Sequence, residues 1–262
     1  MPGRLLPSFA LGLAMLLSGC AGLLGGKQTV FVADSARATL PGQGTFTVQK
    51  GRAGLVIGAP HGTTDSATDV IGADLARLTG FSVVIARGFG KVDAEGRRYN
   101  VNRPTESVAG ASPAGEKESA EARRVYETYD RSVSEAAQGP LRYYVEIHGN
   151  AHEESAGRVE IATVGISTDE AWRLKALLEL VRDAHLRSRP DVPRLEILVG
   201  PADALRYTAS QARAGGLLGR SDKALHIELP RVARTTYRET YTAVLADFLA
   251  QSADLLASSK GR

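Results

Sequence analysis

The sequence predicts an α/β fold, a three-layer sandwich in which a mixed, mostly parallel central sheet carries helices on both faces. Two observations point to it. Short runs rich in Val, Ile and Tyr, several almost wholly apolar, recur along the chain, as strands buried on both faces of a sheet require. Longer segments with helical periodicity separate them, and strands alternating with helices mark a sheet covered on two sides. The 262 residues, 43% hydrophobic and 23% charged, suit one such domain with a substantial core.

In chain order, the strand candidates are 29–32, 44–48, 55–59, 82–86, 143–148, 159–164, 195–199 and 224–229. The first helix candidate, 66–78, places Val70, Ile71, Leu75 and Leu78 on one stripe. The second, 116–137, is long and highly charged. The third, 169–187, carries Trp172, Leu174, Leu177, Leu178, Leu180 and Val181, with Asp169 and Glu170 at its start and Arg187 near its end, a charge placement that complements the helix dipole. The last, 236–257, carries Val244, Leu245, Phe248, Leu249 and Leu255. Two connections, 88–118 and 200–223, are long, and loops above about 15 residues in a compact domain are often functional.

The N-terminus stands outside this pattern. Arg4 precedes an apolar stretch from Ser8 to Leu17, shorter than the roughly 20 residues a membrane span needs, so it reads as a signal peptide. Leu17-Ser18-Gly19-Cys20 resembles the bacterial lipobox, in which the cysteine is lipidated and becomes the first mature residue. Cys20 is the only cysteine, which excludes an internal disulfide and a cysteine-based zinc site. The expected organisation is a signal peptide at 1–19, a lipidated tether at 20–27, one domain at 28–257 and a tail at 258–262. Membrane attachment through a lipid on Cys20 implies a cell-envelope lipoprotein. Ala21, in place of the Asp linked to inner-membrane retention, leans toward the outer membrane facing the periplasm. The 32 basic and 29 acidic residues leave a net charge of +3 without a dense cationic run, which argues against nucleic acid as a partner.

The chemistry-bearing residues gather at predicted strand ends. A strand at 55–59 leads into Pro60-His61-Gly62, a polar turn and Asp65, which could also cap the following helix. The strand at 143–148 ends in His148. Ligands of open α/β sheets bind at the carboxyl ends of strands, and two such histidines with a carboxylate make a plausible three-ligand zinc site with a position left for water. Glu228 lies late in an apolar strand, where a carboxylate is costly unless paired or functional; it suits a general base. Arg87 and the segment Asn100-Val101-Asn102-Arg103 offer guanidinium groups suited to a carboxylate. Residue by residue, plainer roles stay open: a turn histidine at His61, a satisfied strand-end histidine at His148, an ion pair of Glu228 with Arg231 or Arg234, and surface arginines. The chain lacks the Gly-x-Ser-x-Gly elbow of serine hydrolases and the glycine-rich motifs of nucleotide sites.

Together, Pro60-His61-Gly62, Asp65, Arg87, Asn100-Val101-Asn102-Arg103, Glu146-Ile147-His148 and Ile227-Glu228-Leu229-Pro230-Arg231 resemble, in order and approximate spacing, the motifs of the N-formylglutamate amidohydrolase family. More distantly they are similar to zinc carboxypeptidases and aspartoacylases. The resemblance covers about residues 54–103, 143–150 and 224–231. It implies a zinc carboxypeptidase-like sandwich (also described as phosphorylase/hydrolase-like), with zinc on His61, Asp65 and His148. Glu228 would be the base, Arg103 and Asn102 would hold a substrate carboxylate with Arg87 nearby, and Glu146 would orient His148. The chain departs from the carboxypeptidase spacing, which makes Asp69 a rival to Asp65. Asn100 replaces an acid, and His152 is a further candidate at the site. The implied activity is zinc-dependent hydrolysis of an amide bond in a small carboxylate-bearing substrate, an N-acyl amino acid, peptide or cell-wall fragment. A non-catalytic envelope lipoprotein that keeps the fold as a binding module is the alternative.

Overall fold

The computed structural model describes residues 44–90, 93–108 and 115–258. The expected strand at 29–32, the tether and Cys20 lie outside them. In chain order the elements are β1 (Thr45–Gln49), β2 (Arg52–Ala59), α1 (Thr68–Thr79), β3 (Phe81–Arg87), β4 (Arg97–Tyr99), β5 (Thr105–Val108), β6 (Lys117–Glu118), α2 (Ala120–Ala137), β7 (Tyr143–Gly149), β8 (Arg158–Val164), α3 (Thr168–Leu186), β9 (Glu196–Val199), α4 (Ser210–Gly215), β10 (Lys223–Leu229), α5 (Arg231–Arg234) and α6 (Arg238–Ser258).

Seven strands form one sheet in the order β1-β3-β2-β7-β10-β8-β9. The central strands β3, β2, β7 and β10 run parallel. β1 pairs antiparallel with β3. β8 runs antiparallel to β10 and parallel to β9. The mixed, mostly parallel sheet with helices on both faces is therefore present. Its parallel core brings the carboxyl ends of β2, β7 and β10 to one edge, side by side.

Alternation along each strand divides the side chains between two layers. Leu55 and Ile57 of β2, Val145 and Ile147 of β7, and Leu225 and Ile227 of β10 pack with Leu75, Leu174, Leu178, Phe248 and Leu249 of α1, α3 and α6. Burying a side chain of this kind contributes about 1.5–3 kcal/mol. The opposite face carries Val56, Tyr144 and Ala224 against Val125, Tyr129 and Val133 of α2. Gly58 of β2 makes that second layer possible, because a Cβ there would run into the Tyr144 and Tyr129 hydroxyls.

Two expectations need correction. The connection 88–118 carries a three-stranded antiparallel sheet, β4-β5-β6. Helix α2 begins at Ala120 and not at 116: Lys117 and Glu118 pair with β5, and Ser119 is the N-cap, its hydroxyl accepting the Ala122 N–H at 3.1 Å. The second long connection holds α4 and a 3-10 turn at Leu217–Arg220.

Candidate metal centre

The face of the sheet under α2 turns polar at the carboxyl edge. On β7, Glu146 and His148 point to that face; on β10, His226 and Glu228 do. The register sets Glu146 beside His226 and His148 beside Glu228, so four ionisable groups form a two-by-two array on adjacent strands. Glu160 of β8 extends the row beyond Glu228. All five are buried. Burying charge costs several kcal/mol per ion, and well-packed apolar residues often replace buried pairs at no loss of stability. Stability alone does not account for this array.

His61 and Asp65 reach the array from the turn after β2. The backbone N–H groups of Thr64 and Asp65 both donate to the His61 carbonyl at 2.9 Å, winding the turn so that the two side chains meet. Asp65 does not cap α1: the capping position is Ala67, which makes no side-chain cap bond. Its Oδ2 accepts the Gly149 N–H at 3.2 Å and lies 3.3 Å from His61 Nδ1 and 3.6 Å from His148 Nδ1. His61, Asp65 and His148 thus offer two imidazole nitrogens and a carboxylate oxygen that all lie within 4.8 Å of one another, a donor set suited to zinc.

Glu146 is fully buried and is the hub beneath them. Its Oε2 accepts from His148 Nε2 at 3.0 Å, from Asn102 Nδ2 at 3.0 Å and from His226 Nδ1 at 3.3 Å. Its Oε1 accepts the Tyr144 hydroxyl at 3.1 Å. A carboxylate on the far nitrogen of a ligating histidine fixes which nitrogen faces the metal; here it directs His148 Nδ1 toward Asp65. Glu146 also forms a second buried group of possible metal donors with His148 and His226.

Sequence reasoning does not single out His226. Its ring stacks on His148, with centroids 4.0 Å apart, and its Nε2 lies 3.2 Å from Glu228 Oε1. The other oxygen, Glu228 Oε2, is buried and has no hydrogen-bond partner among the described residues. The two-residue period of 224–229 already places His226 and Glu228 on one face, and that is the signal that could have found it.

His61, Asp65, His148, Glu228, Asn102 and Arg103 all border one open cleft of about 490 Å³. Arg103 faces it with its guanidinium already taken: Nε and Nη2 donate to Glu116 at 2.8 and 2.5 Å. Arg87 is not brought to the cleft; it donates to Asp69 at 2.9 Å and to Thr47 at 3.2 Å. That pair engages the carboxylate of Asp69, the rival ligand, which stands outside both groups of possible metal donors. His152 lies 2.7 Å from Arg206 Nη2 and outside both groups of possible metal donors.

The charges hold one another. Burial pushes the Asp65 and Glu146 carboxyls up, but hydrogen bonds from the histidines outweigh it and keep both well below the ordinary range. Burial pushes the His148 imidazole down, but Asp65 and Glu146 outweigh it and raise it to about 10.

No family model matches the sequence, and no curated protein matches it. Solved structures are similar at low identity. A bacteriophage poly-γ-glutamate hydrolase shares 13% identity over 82% of this chain and 90% of its own, with a TM-score of 0.45. A gene product of Agrobacterium tumefaciens shares 14% over 81% and 96%, with a TM-score of 0.48. Murine aminoacylase 3 shares 16% over 76% and 65%, with a TM-score of 0.37. Likenesses this slight carry no argument about chemistry, which stands on the residues themselves.

The pKa shifts fix a pH dependence for the metal-free protein. His148 is raised from 6.5 to about 10, so its share of stability is full below about pH 6.5 and is lost as pH rises toward 10. Asp65 and Glu146 are lowered from 3.8 and 4.5, so their share is present above those values and is lost on acidification. In chelator, the melting temperature of the parent should therefore fall between neutral and alkaline pH more steeply than that of His148→Gln. Parallel profiles from circular dichroism would refute the assignment.

Proposed function

We propose that this chain is a zinc-dependent hydrolase that cleaves an amide bond in a small carboxylate-bearing substrate. The observation that carries the reading is Glu228, whose buried Oε2 has no hydrogen-bond partner among the described residues and which lines the same cleft as two imidazoles and a carboxylate placed to hold a metal. Zinc on His61, Asp65 and His148 supplies Lewis-acid polarisation of a carbonyl and acidifies water. The chain's own residues do the rest. Glu228 Oε2 accepts a proton from the attacking water and returns it to the leaving nitrogen. His226 holds the opposite oxygen, Oε1, and so keeps Oε2 turned to its task. Glu146 keeps His148 in the tautomer that presents Nδ1.

Two guanidinium groups border the cleft. Glu116 already takes the bidentate Nε/Nη2 edge of Arg103, which leaves a substrate carboxylate chiefly Nη1, itself 3.3 Å from Asn102 Oδ1. Arg206 is 42% exposed and pairs with Glu154, itself 69% exposed, and solvent-facing pairs of this kind are worth only about 0–1 kcal/mol. Carboxylate recognition therefore falls first on Arg206, with Arg103 and Asn102 lining the same cleft. The proposal also places the protein in the cell envelope, held by a lipid on Cys20. Among the described residues no helix is long and apolar enough to cross a membrane.

Protein lacking residues 1–20 should carry one zinc per chain, and a His61→Ala, His148→Ala double variant should carry none; full occupancy there rejects the ligand set. Glu228→Gln should keep the metal and lose about 10²–10⁴-fold in turnover on a panel of N-acyl amino acids and short peptides, and parent-like rates would remove Glu228 from the mechanism. Arg206→Gln should erode the preference for free-acid over amide-capped substrates more than Arg103→Gln does; the reverse order returns that role to Arg103. In a Gram-negative host the full chain should incorporate labelled fatty acid, and Cys20→Ala should not; equal labelling of both would overturn the anchor.

A further inference from the structure

Arg234, the last residue of α5, is 4% exposed. Its guanidinium bonds three backbone carbonyls: Nε donates to Leu229 at 3.1 Å, Nη1 to Ser66 at 2.6 Å and Nη2 to Asn150 at 2.8 Å. These three share a relation to the site. Ser66 follows Asp65, Leu229 follows Glu228, and Asn150 stands two residues past His148. Ser66 lies in the turn after β2, Asn150 follows β7 directly and Leu229 is the last residue of β10; a planar fork of donors can span these three chain segments where a single ammonium point would not. The Asn150 N–H donates to the Leu229 carbonyl at 3.0 Å, closing the knot between β7 and β10. Gly149 lies flat against the guanidinium, and a Cβ there would run into Arg234 Cζ, Nε and Cδ.

The guanidinium forms no ion pair among the described residues. A buried, unpaired charge is a poor route to stability, whereas a positive group bonded to the carbonyls of the residues that follow Asp65 and Glu228, and attracted by both carboxylates, suits an acidic cluster. We propose that Arg234 is a positioning residue that clips together the carboxyl ends of β7 and β10, which carry His148 and Glu228, and the turn after β2, which carries His61 and Asp65. Its bearing on metal binding rests on the zinc reading above; the clip itself does not.

The test compares Arg234→Ala with Arg182→Ala, a control in which another buried arginine loses a carbonyl bond, from Nη1 to Leu195 at 2.6 Å, away from the site. Zinc affinity, read by chelator competition with zinc alone as the probe, should fall about 10–100-fold in Arg234→Ala, the usual effect of losing a group that orients metal ligands. It should be unchanged in the control. Low millimolar guanidinium should recover part of the affinity in Arg234→Ala and leave the parent unaffected. In the metal-free proteins, amide exchange should quicken together around residues 65–66, 149–150 and 229 in Arg234→Ala only. Parent-like zinc affinity with parent-like exchange in those loops overturns the proposal, as does an equal loss in the control. If Arg234→Ala does not fold, Arg234→Lys replaces the fork by one nitrogen and should show the same pattern in smaller measure; parent-like behaviour there also overturns it. If the parent binds no zinc, the metal reading falls and the exchange pattern alone decides the clip.

Discussion

The carboxylate of Glu146 is the group around which this end of the molecule is built. It is fully buried, and an ionised carboxylate out of water persists only if its lone pairs are met by donors. Four side chains meet them: Tyr144 from the same strand, His148 two residues on, His226 from the neighbouring strand and Asn102 from the loop after β4. Each donor is thereby fixed in place by the cost of leaving Glu146 unsatisfied. The hub orders the site from below, and the residues that face the cleft inherit their orientation from it.

Above the hub, opposite charges lie too close to be treated singly. Asp65, Glu146 and Glu228 surround His148 and His226, and each histidine stabilises more than one carboxylate. Without metal, the Asp65 and Glu146 carboxylates favour the protonated His148 imidazole, which offsets part of the cluster's negative charge. A divalent cation would take over that duty at His61, Asp65 and His148, so proton and metal compete for the same nitrogens. The second layer of the sandwich contributes by exclusion. Tyr129 and Tyr144 close over Gly58, with their hydroxyls 3.2 Å apart, and seal the hub from the helix side.

Much of this was legible before any coordinates. The central strands read from runs of Val, Ile and Tyr correspond to β2, β3, β7, β8 and β10 within a few residues, because strands buried on both faces tolerate little but apolar side chains. The strand ends carrying His61, His148 and Glu228 were legible for the same reason: a polar residue closing an apolar run stands out. What escaped was set by partners distant in sequence. Nothing near Arg103 announces that Glu116 will take its guanidinium, and nothing near Arg87 announces Asp69. Arg234 was readable only as an ion-pair candidate for Glu228, since bonds to backbone carbonyls leave no trace in residue type. The small sheet β4-β5-β6 escaped because its strands are short and polar, with lengths of three, four and two residues, below the span in which alternation can be recognised.

The pairing of β7 with β10 has one further consequence. On these strands, residues of even number carry the ionisable groups of the site and, apart from Lys223 at the start of β10, residues of odd number carry the apolar layer under α1, α3 and α6. Residue parity thus separates reactivity from cohesion over a stretch of backbone only seven residues long. A substitution disturbs one set or the other. An insertion or deletion of a single residue within either strand would exchange them, turning carboxylates and imidazoles into the hydrocarbon layer and valine and isoleucine into the cleft. A change of chain length is therefore tolerable in the connections, where the cleft is shaped, and not within these two strands.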